Sequence, residues 1–175
     1  MSLFSKPKVV IWPKNKSVEI YLSRKNDNFF SLDINLWEDC SDKDLEGLIY
    51  FFNQNKITQA SVLVPDDVVV TKSFVYDTKI DTIDKKEVIG LASGFVNFDI
   101  DPDSIEHSLI QDGEKTIINA VIYDKSKFDC LKSNLLKTNL VINSYRPVSA
   151  AVSDVVSKIY LSEFFLIYPL NDKDY

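Results

Sequence analysis

The sequence predicts an α/β fold with an interrupted pattern: a β-β-β-α-β half, a strand-helix-strand-strand insert, and a return as β-α-β. Three observations carry that prediction. Short runs of β-branched and aromatic residues open the chain, KVVIWP, SVEIYL and NFFSLDI, with the partial alternation of strands. Segment 41–54, SDKDLEGLIYFFNQ, places Leu45, Leu48, Ile49 and Phe52 at i, i+3, i+4 and i+7, the spacing of one buried helix face. SVLVP at 61–65 is a continuous apolar run, as expected of a strand covered on both faces.

Taken in order, the first two strands form a hairpin whose turn reads Pro13-Lys14-Asn15-Lys16. Proline and asparagine suit turn dihedrals. The third strand is 28–34. Ser41 with Asp44 three residues on resembles a capping box at the start of the first helix. After Pro65-Asp66-Asp67 a second unit begins with the strand VVVTKSFVY (68–76). Thr82 can cap a helix running to about Phe95, with Val88, Leu91, Ala92 and Phe95 on one face. DSIEHSLI (103–110) and KTIINAVIY (115–123) read as strands, and Asp112-Gly113 between them is a hairpin signal. Asp124 then caps a helix carrying Phe128, Leu131, Leu135 and Leu136. LVINSY (140–145) is a strand and PVSAAVSDVVSKIY (147–160) a helix with proline near its first turn. EFFLIYP (163–169) is the last strand.

A chain of 175 residues, 45% hydrophobic and 26% charged, has the size and composition to bury a real core. Its net charge of −6, with acids and bases interspersed, argues against sequence-independent nucleic-acid binding, which needs a basic face. Two cysteines, Cys40 and Cys130, and one histidine cannot supply a four-ligand zinc site. A disulfide has no support in the spacing, so a reducing cytosol is the default expectation. The opening MSLFSKPKVV lacks the apolar core of a signal peptide, and no run approaches the ~18 apolar residues of a membrane span.

The element order, together with S-V-L-V-P-D-D-V-V-V-T-K-S-F (61–74), the 82–110 segment of helix, acidic loop and strand, and the 118–156 segment with its R-P-V-S-A-A, resembles the bacterial actin-like ATPases of the PilM, GspL and FtsA type. The resemblance covers nearly the whole chain and rests on pattern and order. It implies a ribonuclease H/actin-like half-fold. Residues 1–66 would be the first part of subdomain 1A, 67–138 an inserted 1C-like subdomain, and 139–175 the return to 1A. A complete fold of this kind has a second half, so the resemblance also implies a chain truncated to the N-terminal half, or a natural half-fold. The stop at N-D-K-D-Y directly after a strand favours truncation.

ATP-binding members of that superfamily carry an Asp and closely spaced glycines in the first hairpin, where backbone N–H groups approach a phosphate. Here the turn has neither glycine nor acid, and Pro13 has no N–H to offer. The region after the last strand, YPLNDKDY (168–175), is also free of glycine. The resemblance therefore points to degenerate members without a nucleotide site or cofactor. It implies a non-catalytic scaffold in a type IV pilus or type II secretion-like assembly, cytoplasmic and held at the inner membrane by a partner. That partner would place a peptide in the groove between the two subdomains, and an assembly ATPase is a further implied partner. The alternative is a nucleotide-binding actin-like protein cut to its first half. A third reading is an unrelated α/β domain, in which strand 68–76 would continue the sheet of 61–65.

Other constellations carry less. Asp99, Asp101 and Asp103 alternate like the start of a calcium loop, but the required glycine and glutamate positions hold Ser104 and Ile110. His107 lies within a strand, with no recognisable acid–base partner in sequence. No G-x-S-x-G and no metal-ligand cluster occur, so catalytic and metal-binding residues are expected to be none. Large aromatics that do not fall cleanly on a core face are the natural partner-binding candidates: Phe74 and Tyr76 at the end of the insert's first strand, and Phe95 and Phe98 after its helix.

Overall fold

The computed structural model of the chain describes residues 8–23 and 28–159. The strand expected at 163–169, and the loop expected after it, lie outside the described residues. The elements are β1 (Lys8–Pro13), β2 (Val18–Ser23), β3 (Asn28–Leu32), α1 (Asp42–Gln54), β4 (Gln59–Val64), β5 (Val69–Tyr76), α2 (Lys85–Ala92), β6 (Ile105–Asp112), β7 (Lys115–Tyr123), α3 (Lys125–Lys137), β8 (Val141–Pro147) and α4 (Val148–Ile159). The chain divides into two compact units, one up to Pro65 together with the described residues from Asp129 on, the other Asp66–Phe128. The division falls inside α3, whereas the sequence reading gave all of 67–138 to the insert.

The first unit holds a five-stranded sheet in the order β3-β2-β1-β4-β8. β1, β2 and β3 form an antiparallel meander, while β1–β4 and β4–β8 pair in parallel. Burial alternates along β2 and β4, as the period of two requires. On β4, Ala60, Val62 and Val64 are buried and Ser61 and Leu63 half-buried, so both faces are covered, unequally. Leu45, Leu48 and Phe52 of α1 join Ile11, Ile20 and Val62 among the buried apolar side chains. The capping box of α1 forms as read: the Ser41 hydroxyl accepts from Asp44 N–H at 3.4 Å, and Ser41 N–H donates to the Asp44 carboxylate at 2.8 Å. The hydroxyl of Ser41 and then its N–H hold the Asp44 carboxyl below its usual range. On α3, Phe128, Leu131 and Leu135 are buried, but Leu136 is 77% exposed. Its spacing fits an apolar stripe that the other three already fill.

The insert has its own three-stranded antiparallel sheet, order β5-β7-β6. β5 therefore opens a new sheet instead of extending that of β4, so the feature that would have supported the third reading is not found. Val88 and Ala92 of α2 pack with Ile105, Ile118, Ala120 and Ile122 in a core of the insert's own. The helix begins two residues later than Thr82 suggests. Asp84 is the cap, its carboxylate accepting from Glu87 N–H at 2.9 Å, which leaves Ile83 outside the helix and packed on the core. The α-helix ends at Ala92 and a single 3₁₀ turn follows at Ser93–Phe95, so Phe95 leaves the buried stripe. Between β6 and β7, Asp112 pairs with Lys115, and Gly113 takes the turn's positive φ of 62°.

Candidate functional site

In the P-K-N-K turn, Lys14 N–H donates to Ser17 carbonyl at 2.7 Å, closing the hairpin without a residue of positive φ between β1 and β2. Lys14 does not present a bare cation. Its Nζ lies 2.8 Å from the Glu19 carboxylate and 4.6 Å from the centre of the Trp12 ring. Asn15 and Lys16 are exposed. Chemically the turn is a closed hairpin tip with an internal ion pair.

The acidic loop is likewise self-satisfied. The Asp101 carboxylate accepts from Asp103 N–H at 2.8 Å and from Lys125 Nζ at 3.0 Å. Those two contacts, the backbone one first, hold its carboxyl below the usual range. Among the described residues no group of three or more candidate ligands could hold a metal ion. His107 sits half-buried on β6, paired with Ala120 of β7. Cys40 is buried and Cys130 half-buried, both as free thiols, and burial is the first cause pushing each thiol up. A raised thiol is a poor nucleophile at neutral pH.

The four aromatic candidates all lie in the insert, and the structure brings two of them together. Phe74, half-buried on the core-facing side of β5, has its ring 6.0 Å from that of Phe95. Phe95 is 54% exposed. Lys72, two residues before Phe74 on the same face of β5, places its Nζ 4.8 Å from the Phe95 ring centre. Tyr76 continues that face and lines an open pocket of about 390 Å³ with Ile80, Thr82, Ile83, Glu87, Gly90 and Leu91. Phe98 is half-buried against the insert's core. The sequence reading missed Lys72 and every pocket residue except Tyr76. Two signals were available: Lys72 alternates with Phe74 and Tyr76, and Gly90 interrupts an otherwise ordinary helix.

The pocket wall is built. Thr116, buried on β7, donates its hydroxyl to Thr78 carbonyl at 3.0 Å and accepts from Ile80 N–H at 2.9 Å. Gln111 donates to Ile80 carbonyl at 2.9 Å. Residues between β5 and α2 are thereby tied to the β6–β7 hairpin.

The meander-plus-parallel sheet, interrupted after its fourth strand by a unit with a separate sheet, has the architecture of an actin-like, ribonuclease H-type fold. Among solved structures, the chain matches one of the PilM–PilN type IV pilus biogenesis complex with a TM-score of 0.54 at 11% identity, over 87% of this chain and 51% of that one. The chain thus spans about half the length of that structure. Two further matches are weaker. They are the cytoplasmic domain of EpsL, an inner membrane component of the type II secretion system of Vibrio cholerae (TM-score 0.46, 10% identity, 81% and 57% covered), and a Bacteroides thetaiotaomicron protein with an actin-like ATPase fold (0.37, 11%, 87% and 56%). No protein-family model matches the sequence, and no curated protein does either.

Proposed function

We propose that this chain is a non-catalytic, actin-like scaffold of a type IV pilus or type II secretion-like assembly, held at the cytoplasmic face of the inner membrane by a protein partner. The observation that carries the reading is the β1–β2 turn. The fold's phosphate-approaching hairpin is here a glycine-free tip whose lysine is already paired with Glu19 and Trp12. Nucleotide chemistry has no foothold there, and what the fold keeps is surface. One part of that surface with aromatic character is the insert's Phe74–Phe95 pair, of which Phe95 is exposed, with Tyr76 and Phe98 nearby, a composition suited to anchoring a protein segment. Among the described residues no helix is long and apolar enough to cross a membrane, which is consistent with attachment through a partner.

Two measurements test this. Melting of the chain is followed with and without Mg-ATP or Mg-ADP. At about 1 mM, a site with a Kd of about 10 µM would stabilise the native state by about 2.7 kcal/mol, several degrees of melting temperature. No shift is expected. A saturable shift would favour a nucleotide-binding protein of which this chain is the first half. A photoreactive amino acid in place of Phe95 should then cross-link an integral inner-membrane assembly protein in cells, and one in place of the exposed Leu136 should not. Cross-links to soluble proteins alone, or the same products from both positions, would overturn the scaffold reading.

A further inference from the structure

We propose that the pocket between the end of β5 and α2 receives the apolar side chain of a lysine- or arginine-rich peptide segment. This names the chemistry of the partner and rests on the scaffold reading above. The floor and walls are apolar: Tyr76, Ile80, Ile83 and Leu91. The charge beside them is negative. Glu87 is part of the lining, and Asp81 sits in sequence between two lining positions, Ile80 and Thr82. Neither carboxylate makes an ion pair among the described residues, whereas neighbouring lysines are engaged elsewhere. Lys79 pairs with Glu114 at 3.2 Å, Lys115 with Asp77 at 3.0 Å, and Lys85 donates to Pro102 carbonyl at 3.1 Å. Lys86 is offset by one position from the Glu87–Leu91 stripe of the helix and does not line the pocket.

Gly90 supplies the second argument. It lies inside α2, where glycine costs roughly 0.5–1 kcal/mol against alanine. Nothing in the chain's own packing asks for it: its φ is not positive, and a Cβ there would meet nothing within 4 Å. The absent side chain keeps the pocket open. Thr116 and Gln111 hold the opposite wall before any ligand arrives, so little ordering is left to be done on binding. An apolar cleft with unpaired carboxylates selects an apolar anchor flanked by cations. Cytoplasmic segments next to membrane spans carry such an excess of Lys and Arg.

The test uses the full chain and a fluorescein-labelled decapeptide with a central leucine flanked by lysines, read by fluorescence anisotropy at about 0.15 M salt, where non-specific attraction between separated charges is screened. Saturable binding is expected. It should weaken about tenfold or more when the leucine is replaced by alanine or the lysines by glutamates. Gly90→Leu fills open space, so its melting temperature should not fall, yet affinity should drop about tenfold or more. Glu87→Lys should do the same for the lysine probe. Unchanged affinity in Gly90→Leu, or equal binding of the glutamate-flanked probe, would overturn the proposal. So would a dimer of the unliganded chain that Gly90→Leu dissolves, since a second copy would then be the occupant. The two readings fail separately. A membrane-protein cross-link from Phe95 that survives Gly90→Leu, with no probe binding, removes the pocket and keeps the scaffold. Gly90-dependent probe binding without any such cross-link does the reverse.

Discussion

Asn134 is a fully buried polar side chain whose amide reaches Cys130 Sγ on its own helix at 3.8 Å and otherwise serves one loop. Its Nδ2 donates to the carbonyls of Leu36 at 3.0 Å and Glu38 at 2.7 Å, and its Oδ1 accepts from Cys40 N–H at 3.2 Å. The loop between β3 and α1 thus gets from α3 the backbone partners that a sheet or helix would otherwise provide. One helical turn later, Lys137 Nζ donates to Cys40 carbonyl at 2.7 Å and to Asp39 at 3.0 Å. Replacing Asn134 by leucine keeps the volume and takes the partner from two buried backbone groups, the Leu36 carbonyl and the Cys40 N–H, and from the part-buried Glu38 carbonyl. Leaving such groups unpaired costs about 1–3 kcal/mol each, and because they share one loop the losses will not add fully. We expect Asn134→Leu to lose about 3 kcal/mol, seen as a melting temperature lower by roughly 6–12 °C. Asn134→Asp keeps the acceptor for Cys40 but sets an anion against two carbonyls, so at neutral pH it should be the worse of the two. A loss below about 1 kcal/mol in both variants would mean the loop is held by something other than Asn134.

Helix termini show where sequence reading succeeds and where it stops. The capping box at Ser41–Asp44 is legible because both partners lie within four residues and bond to each other. The stop after α1 is not, because no glycine marks it. Ile57 N–H returns to Phe52 carbonyl at 2.9 Å and Lys56 N–H to Asn53 carbonyl at 3.1 Å, a Schellman closure with Lys56 at φ 52°. α3 also ends on a left-handed residue, Asn139 at φ 59°, whose N–H returns to Leu136 carbonyl at 3.1 Å; asparagine tolerates that region better than lysine does. Lys56→Gly removes the Cβ clash of that conformation, part of which is returned as glycine's unfolded-state entropy. A net gain of about 0.5–1 kcal/mol in chemical denaturation is expected, with the slope against denaturant unchanged; a loss would show that the lysine side chain itself holds the cap. The same limit explains the other misplacements. Thr82 and Asp84 are both able to cap, and what selects Asp84 is that Ile83 packs on the insert's core, a tertiary fact. Phe95 has the spacing of the buried stripe, but α2 stops three residues short of it. Its ring therefore meets Phe74, 21 positions earlier in the chain, a pairing no local pattern announces. The order of elements along the chain was readable, because β-branched runs, helical spacing and turn residues mark each of them locally.

At the scale of the whole chain, two cores support two separate sheets. The first unit buries Ile11, Ile20, Leu48 and Val62 around a sheet whose β1–β2 tip carries the Lys14–Glu19 ion pair; the insert buries Val88, Ala92, Ile105, Ile118, Ala120 and Ile122 beneath the pocket and the aromatic pair. The insert's core is small, and its site residues ride on β5 and on a helix of eight residues. Such a unit belongs to the low-stability end of a structure, where local opening is least costly. Deleting a buried large aliphatic side chain costs about 2–5 kcal/mol in either place. Where the loss appears should differ. In Ile118→Ala, hydrogen exchange should quicken most at the amides of β5, β6 and β7; in Leu48→Ala, most at those of β1, β2, β4 and β8. The insert variant should also lose binding of the lysine-flanked probe at temperatures where the first unit remains protected, because the pocket walls hang from Thr116 on the same strand as Ile118. If Ile118→Ala instead raised exchange equally across both sheets, the two cores would be one cooperative unit. Binding at the insert would then be able to feed back on the stability of the five-stranded sheet, and the chain would act as a switch and not a passive scaffold.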